Sequence, residues 1–246
     1  MIDLLNCDVG KILANLFPLP PPSPFSPSLS DGEVVLVGGY DGVYLSTDSG
    51  SSFSSVDLDD LYDTSSTAGF NVAMSSDASH LFAASVMGGV LTSTDKGKTW
   101  TQVNSDTTFW SSIASNSDSS VLIASSPSSS LYASYDYGET WTAFDDTGTN
   151  AWSWSYVDIS ADGQVMVGGS AKSAVWVSVD GGSSWATTGD VDMWTSVSLT
   201  SDGKTIVGSS AGISSMVKAT YSANESSTKK HKKSSKKSSG GKSKAK

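Results

Sequence analysis

Arginine is absent from this sequence of 246 residues, since all 15 basic residues are lysines. A rigid guanidinium that grips a carboxylate or phosphate through two parallel hydrogen bonds therefore cannot be built, which excludes enzymes that depend on one. Cys7 is the single cysteine, so no internal disulfide can form. The chain also has no run of about 18 apolar residues, and Asp3 and Asp8 stand where a secretory signal would carry lysine. We therefore expect a soluble protein without a signal peptide or transmembrane segment, and intracellular localisation is favoured.

The charge is divided unevenly along the chain. Six lysines and all 25 acidic residues precede Ser226, so this part carries a net charge of −19, whereas the last 21 residues carry nine lysines. An acidic body repels nucleic acid and anionic membranes, while a basic tail attracts them. Any contact with an anionic polymer is therefore assigned to the lysine-rich tail.

A motif with the pattern S-x-D-x-G-x-[ST]-[WF] occurs four times. Its aspartates are separated by 47, 41 and 44 residues, which is the length of one four-stranded propeller blade. We call each copy a box. The defining residues of the four boxes are, in order, Ser46, Asp48, Gly50 and Phe53; Ser93, Asp95, Gly97 and Trp100; Ser134, Asp136, Gly138 and Trp141; and Ser178, Asp180, Gly182 and Trp185.

A second aspartate precedes each box by 17 or 18 residues, at Asp31, Asp77, Asp118 and Asp162, and Asp202 begins a fifth unit whose box is lost. Short apolar runs between these marks, separated by small-residue turns, indicate strands. The sequence therefore predicts an all-β fold, a β-propeller of about five four-stranded blades over residues 31–224.

The boxes have a structural explanation. Asp and Ser side chains satisfy the backbone of a tight turn, the glycine takes a positive φ, and the closing aromatic ring folds beneath the turn. We therefore interpret the box aspartates as turn clasps rather than catalytic or metal-binding groups. His80, His231 and Cys7 form no metal-ligating pattern, and no cofactor is predicted.

At these boxes the sequence resembles the BNR or Asp-box repeat family, which occurs in sialidases, sortilin-type receptors, some xyloglucan-cleaving glycosidases and photosystem II assembly factors. The resemblance covers about residues 31–221 and implies a sialidase-like propeller fold without implying one function. Two departures are visible, because the first box ends in Phe53 and the fifth is missing. Sialidases bind their substrate with three arginines, so the absence of arginine argues against sialidase activity.

The box turns define one edge of the blades, which we call the box edge, and the opposite edge is the loop face. Each connection between blades brings acidic residues to the predicted loop face, namely Asp57, Asp59, Asp60, Asp63, Asp106, Asp145, Asp146, Asp190 and Asp192. They fit a solvated rim, a site for a cationic ligand or partner, or a catalytic carboxylate pair. Trp152 stands off the repeat register, and with Phe109 it is a possible stacking platform.

The two flanks differ from the repeats. Residues 1–30 are predicted to be an N-terminal leader and a proline-rich linker, and residues 225–246 a disordered basic tail. The sequence favours a non-catalytic binding or scaffold module that recognises a protein or glycan on the loop face, with Trp152, Phe109, Asp145, Asp146, Asp190 and Asp192 as candidate ligand-binding residues. The alternative is a glycoside hydrolase that uses a pair of rim aspartates.

Overall fold

The computed structural model of this chain describes residues 26–29, 33–58, 61, 69–86, 89–104, 109–127, 130–144, 154–210 and 217–220. In these ranges the secondary structure consists of antiparallel β-sheets, and no helix there has the length and apolarity to cross a membrane. The predicted leader up to residue 25 and the predicted basic tail lie outside the described residues.

The first three sheets are four-stranded meanders, in which each strand pairs with the next one along the chain. The first contains β1 (Ser26–Leu29), β2 (Val35–Gly39), β3 (Gly42–Ser46) and β4 (Ser54–Ser55). The second contains β5 (Phe70–Met74), β6 (Leu81–Ser85), β7 (Val90–Ser93) and β8 (Thr101–Asn104), and the third β9 (Ser112–Ser115), β10 (Leu122–Ser125), β11 (Leu131–Ser134) and β12 (Thr142–Ala143).

The fourth sheet has five strands, β13 (Trp154–Ile159), β14 (Met166–Ser178), β15 (Ala186–Leu199), β16 (Thr205–Ser210) and β17 (Val217–Thr220). Strand β14 combines the second and third strands of the fourth repeat, and β15 joins its fourth strand to the first strand of the fifth repeat. The fourth and fifth units are therefore continuous here, and the pairing of β14 with β15 shifts register between Ala171 and Val175.

The sheets are arranged as blades. The first strands β1, β5, β9 and β13 and the second half of β15 lie side by side along the chain order, each in contact with the next. Apolar clusters fill the spaces between consecutive sheets; one of them joins Phe82 and Val90 of the second sheet to Trp110 and Leu122 of the third. This is the architecture of a β-propeller, as the repeat spacing predicted.

Strand β1 begins before the boundary at residue 31 that the sequence suggested. It includes Pro27, which is paired with Val37. Proline has no backbone N–H, but β1 is an edge strand of its sheet, on the side of the propeller axis, and pairs with a neighbouring strand on one side only. The proline-rich stretch therefore supplies the first strand of the first blade.

Glycine allows close packing between and within the blades. A Cβ atom at Gly38 would lie 2.2 Å from the carbonyl oxygen of Phe70 on the next blade, and one at Gly208 would lie 2.6 Å from the indole ring of Trp194. The contact between the first two blades at Gly38 and the packing within the fifth unit at Gly208 therefore both need a residue without a side chain.

Candidate binding site at the loop face

The four boxes share one hydrogen-bond pattern. In the first box the Ser46 hydroxyl donates to Asp48 Oδ1 at 2.7 Å and accepts the backbone N–H of Gly50 at 2.9 Å. Ser52 donates both its backbone N–H and its hydroxyl to Asp48, at 2.9 and 2.6 Å. The same bonds recur around Asp95, Asp136 and Asp180.

These bonds explain the acidity of the box aspartates. The hydroxyl and backbone N–H of Ser52 hold the pKa of Asp48 at about 2, and those of Thr99 hold the pKa of Asp95 at about 2. For Asp136, burial opposes the shift, but the bonds from Thr140 and Ser134 lower its pKa overall. Each carboxylate is thus ionised and occupied by donors of its own turn, which is the geometry that a turn clasp requires.

The closing aromatic residues of the boxes pack differently. The indole N–H groups of Trp100 and Trp141 donate to the carbonyl oxygens of Gly97 and Gly138, at 3.2 and 3.0 Å. Trp185 packs against Phe144, with ring centroids 5.1 Å apart. Phe53, which has no N–H to donate, packs against the cluster of Val35 and Val37.

Hydrogen bonds also connect consecutive blades at the box edge. The backbone N–H of Ser76 donates to the carbonyl of Ser117, that of Ser117 to Ala161, and that of Ala161 to Ser201, at 2.8, 3.0 and 2.9 Å. Each of these residues directly precedes the second aspartate of its repeat. The box edge is therefore a continuous hydrogen-bonded rim from the second unit to the fifth.

Asp158 adds a side-chain link between the last two units. Its Oδ2 atom accepts the Ser198 hydroxyl at 2.9 Å and the backbone N–H of Leu199 at 2.7 Å, and its Oδ1 atom accepts the N–H of Ile159. Burial raises the pKa of Asp158, and these three bonds oppose the rise. The other repeats have no carboxylate at this position, so Asp158 holds the fourth unit to the fifth.

The loop face carries a cavity of about 290 Å³. Five aromatic side chains line it, and they come from all of the first four units: Tyr40, Phe70, Trp110, Trp154 and Tyr156. Val86 and Pro127 complete its apolar wall, and Asn71, Ser111 and Ser155 are its polar side chains. No lining residue is charged. We call this cavity the aromatic pocket.

The strand ends explain why these residues meet. Tyr40, Val86 and Pro127 lie one or two residues after the second strand of the first, second and third blades, and Phe70 and Trp154 begin first strands. Because first strands start at the loop face near the propeller axis, the aromatic side chains converge there. Trp110 and Trp154 are buried and form the floor, while Tyr40 is 54% exposed and Val86 36% exposed at the rim.

The polar side chains of the pocket also support the fold. Asn71 Nδ2 donates to the carbonyl oxygen of Trp110 at 3.2 Å, and the Ser111 hydroxyl donates to that of Trp154 at 2.7 Å. Each bond crosses from one blade to the next. The pocket walls are therefore fixed by inter-blade bonds, and its open surface is mainly aromatic.

The structure describes only part of the site that the sequence suggested. Phe109 is described and is 46% exposed, immediately before the pocket residue Trp110. Trp152, Asp145 and Asp146 lie outside the described residues, as do Asp59, Asp60, Asp63 and Asp106. Asp190 and Asp192 lie on strand β15, in the stretch whose side chains are not described. Asp57 does not border the aromatic pocket; it lines a depression with Lys98 and Thr99 of the second box.

Three residues of the aromatic pocket were not predicted from the sequence, namely Tyr40, Val86 and Tyr156. A signal for Tyr156 exists, because the matching positions in other repeats are the small polar residues Asn71, Ser112 and Ser196. A comparable signal is the apolar residue that follows the second strand in three consecutive blades, where a turn exposed to solvent is usually polar.

Comparisons with known proteins identify the fold. No protein-family model matches the chain, and no curated protein matches it either. Among solved structures it is similar to the GH74 enzyme of Niastella koreensis, with 19% identity and a TM-score of 0.63, over 81% of this chain and 38% of that one.

A second group of similar structures is that of YCF48. The Cyanidioschyzon merolae protein has 15% identity and a TM-score of 0.58, over 78% of this chain and 66% of that one. YCF48 bound to D1 peptide has 17% identity and a TM-score of 0.56, over 80% of this chain and 67% of that one. The chain thus spans little more than a third of the GH74 enzyme and about two thirds of YCF48, and these similarities establish the β-propeller fold.

Proposed function

We propose that this chain is a non-catalytic binding module that recognises a protein or glycan at the aromatic pocket of the loop face. The observation that carries the proposal is the lining of that pocket, which is aromatic, uncharged and assembled from four blades. Clustered aromatic side chains with a few fixed polar groups are typical of binding sites, whereas acid–base catalysis needs ionisable groups at the reacting atoms. That a YCF48 structure holds a bound peptide supports the same reading.

The test is a binding screen followed by matched variants. Full-length protein is applied to arrays of peptides and of glycans that include xyloglucan oligosaccharides, and each ligand found is titrated against Tyr40→Ser and Tyr135→Ser. The two tyrosines are 54% and 53% exposed, but Tyr135 lies in the third box, at the opposite edge. We expect Tyr40→Ser to weaken binding about tenfold or more, and Tyr135→Ser to leave it unchanged. Ligands that bind both variants equally would place the site elsewhere.

A glycoside hydrolase remains the second candidate, because GH74 enzymes share the fold. The paired carboxylates that it requires would come from the rim aspartates, of which Asp145 and Asp146 are adjacent in sequence. Release of reducing sugar from xyloglucan, lost by about 100-fold or more in Asp145→Asn or Asp146→Asn, would support this function. Binding of xyloglucan without release of reducing sugar would instead support the function of a non-catalytic binding module.

Two further proposals concern the family and the tail. We assign the chain to the Asp-box repeat family, supported by the common hydrogen-bond pattern of the four boxes. We also assign contacts with anionic polymers to the nine lysines after Thr228. Deletion of residues 226–246 should abolish binding to polyanions at low salt, because the remaining chain has a net charge of −19. Unchanged binding would refute this second assignment.

A further inference from the structure

The proline-rich segment before β1 has a regular spacing. Pro18, Pro21 and Pro24 recur at every third residue, and the whole segment from Pro18 to Phe25 carries no charge. A polyproline II helix has three residues per turn, so these three prolines would occupy one face of such a helix. Aromatic-lined grooves bind polyproline II segments through that kind of repeat.

The same segment enters the fold beside the aromatic pocket. Strand β1 begins at Ser26, whose partner Gly38 directly precedes the pocket residue Gly39. In the polyproline II conformation the seven residues Pro18–Pro24 would span about 22 Å. The width of a compact cavity of about 290 Å³ is well below that length. The segment is thus tethered at the rim of the pocket and has the reach to occupy it.

The chemistry of the two surfaces is complementary. Proline offers a flat apolar ring and no backbone N–H, so it can pack on Tyr40 and Tyr156 without leaving a donor unsatisfied. A glycan would need several partners for its hydroxyl groups, whereas Asn71 and Ser111 already donate to carbonyl oxygens of neighbouring blades. The uncharged lining also matches an uncharged ligand.

We propose that the aromatic pocket binds proline-rich segments in the polyproline II conformation, and that Pro18–Pro24 of this chain is its intramolecular occupant. This inference rests on the proposed binding function and specifies its ligand class. An external proline-rich partner then competes with the tethered segment. A short tether gives an effective concentration of about 1 mM, so an external peptide with an intrinsic Kd of about 100 µM binds about tenfold more weakly to the intact chain.

The experiment uses full-length protein and a fluorescein-labelled synthetic peptide with the sequence of residues 16–25. Fluorescence anisotropy measures its affinity for wild type, for the triple variant Pro18→Ala, Pro21→Ala, Pro24→Ala, and for the control Pro20→Ala, Pro22→Ala. The control removes prolines from the same segment but leaves the every-third-residue face intact. We expect about tenfold tighter binding to the triple variant than to wild type, and wild-type affinity in the control.

A second pair of variants locates the site. In the triple-variant background, Tyr40→Ser should weaken peptide binding about tenfold, and Tyr135→Ser should not. All variants are melted in parallel to verify that they fold. The substituted prolines precede β1, whereas Tyr135 donates a hydrogen bond to the carbonyl oxygen of Gly181 on the next blade at 2.7 Å, so affinities are compared for the folded protein.

Three outcomes would overturn the inference. Equal affinity for wild type and the triple variant excludes the intramolecular occupant, and equal affinity for the two tyrosine variants excludes the aromatic pocket. If the peptide binds no variant while another ligand from the array screen binds in a Tyr40-dependent way, the ligand class is wrong and the proposed binding function stands.

Discussion

At the box edge four turns repeat the same hydrogen bonds, whereas at the loop face the blades differ at most of the positions that line the aromatic pocket. The box aspartates each accept bonds from a serine and from a serine or threonine four residues later. The pocket instead combines a tyrosine from one blade, a valine from the next and a proline from the third at related positions.

This difference separates two demands on one repeated unit. At the box edge each blade must be closed and joined to the next blade, so the same hydrogen-bonded turn is repeated in each blade that has a box. Under the proposed binding function the loop face presents one surface to one ligand, so each blade contributes a different side chain. Repetition therefore marks the parts that stabilise the fold, and departures from repetition mark the candidate site.

Acid should have the largest effect, because it acts on every box at once. The pKa values of eight aspartates in boxes and hairpin turns are lowered in the fold, those of Asp48, Asp95 and Asp202 to about 2. A depressed pKa contributes stability above the unfolded value of 3.8, and that contribution is lost as the pH falls through the folded value.

We therefore expect a nearly constant Tm from pH 7 to about pH 5 and a steep fall between about pH 4 and pH 2. Asp158 acts in the opposite direction, since its pKa is raised and its protonation favours the folded state. The stability that protonation of Asp158 adds cannot offset the stability that is lost when the eight aspartates are protonated. Thermal melts followed by circular dichroism measure the profile, and a Tm that stays constant to pH 2 would contradict the clasp assignment.

Gly38→Ala tests the contact between the first two blades. The new methyl group would stand 2.2 Å from the Phe70 carbonyl oxygen, which belongs to the backbone and cannot rotate away. We expect a loss of about 3 kcal/mol in the free energy of unfolding, measured by urea denaturation. Gly69→Ala is the control, because its nearest neighbours are side-chain atoms of Tyr40 and Val86 at 3.4 Å, and it should cost less than about 1 kcal/mol.

Asp136→Ala tests one box. The substitution leaves the backbone N–H of Thr140 and the hydroxyl of Ser134 without their acceptor. We expect a loss of about 2 kcal/mol in stability and unchanged ligand affinity of the folded protein. Lost binding at an unchanged melting temperature would show that the box has a direct role in recognition.

Ser119→Gly should stabilise the protein. Ser119 has a φ of 60°, and its buried hydroxyl has no hydrogen-bond partner among the described residues. The matching positions of the next two repeats are Gly163 and Gly203, with φ values of 73° and 70°. Glycine removes both the backbone strain and the unsatisfied hydroxyl, so we expect a gain of about 1 kcal/mol in urea denaturation. A loss of stability would mean that the packing of the Ser119 side chain contributes more to stability than the backbone strain and the unsatisfied hydroxyl cost.

The sequence predicted the repeated part of the molecule better than the site. The spacing of the boxes was enough to predict the propeller fold, because each box turn is formed by hydrogen bonds within eight consecutive residues. The aromatic pocket is assembled from positions up to 117 residues apart, such as Gly39 and Tyr156, and depends on which strand ends face the axis. Strand β1 was also missed, since Pro27 argues against a strand unless that strand is known to lie at the end of its sheet.

Phe109→Ser and Tyr137→Ser give the smallest expected effects and compare the two edges directly. The side chains are similarly exposed, at 46% and 43%. Tyr137 stacks on His80 of the preceding blade with ring centroids 4.8 Å apart, so its loss should cost about 0.5 to 1 kcal/mol. Phe109 precedes the pocket residue Trp110, and its loss should change stability by less than about 0.5 kcal/mol while weakening ligand binding. Urea denaturation and ligand titration of both variants measure the two effects. If Phe109→Ser were the more destabilising variant, or if Tyr137→Ser were the one that weakened binding, the division between a stabilising box edge and a recognising loop face would be wrong.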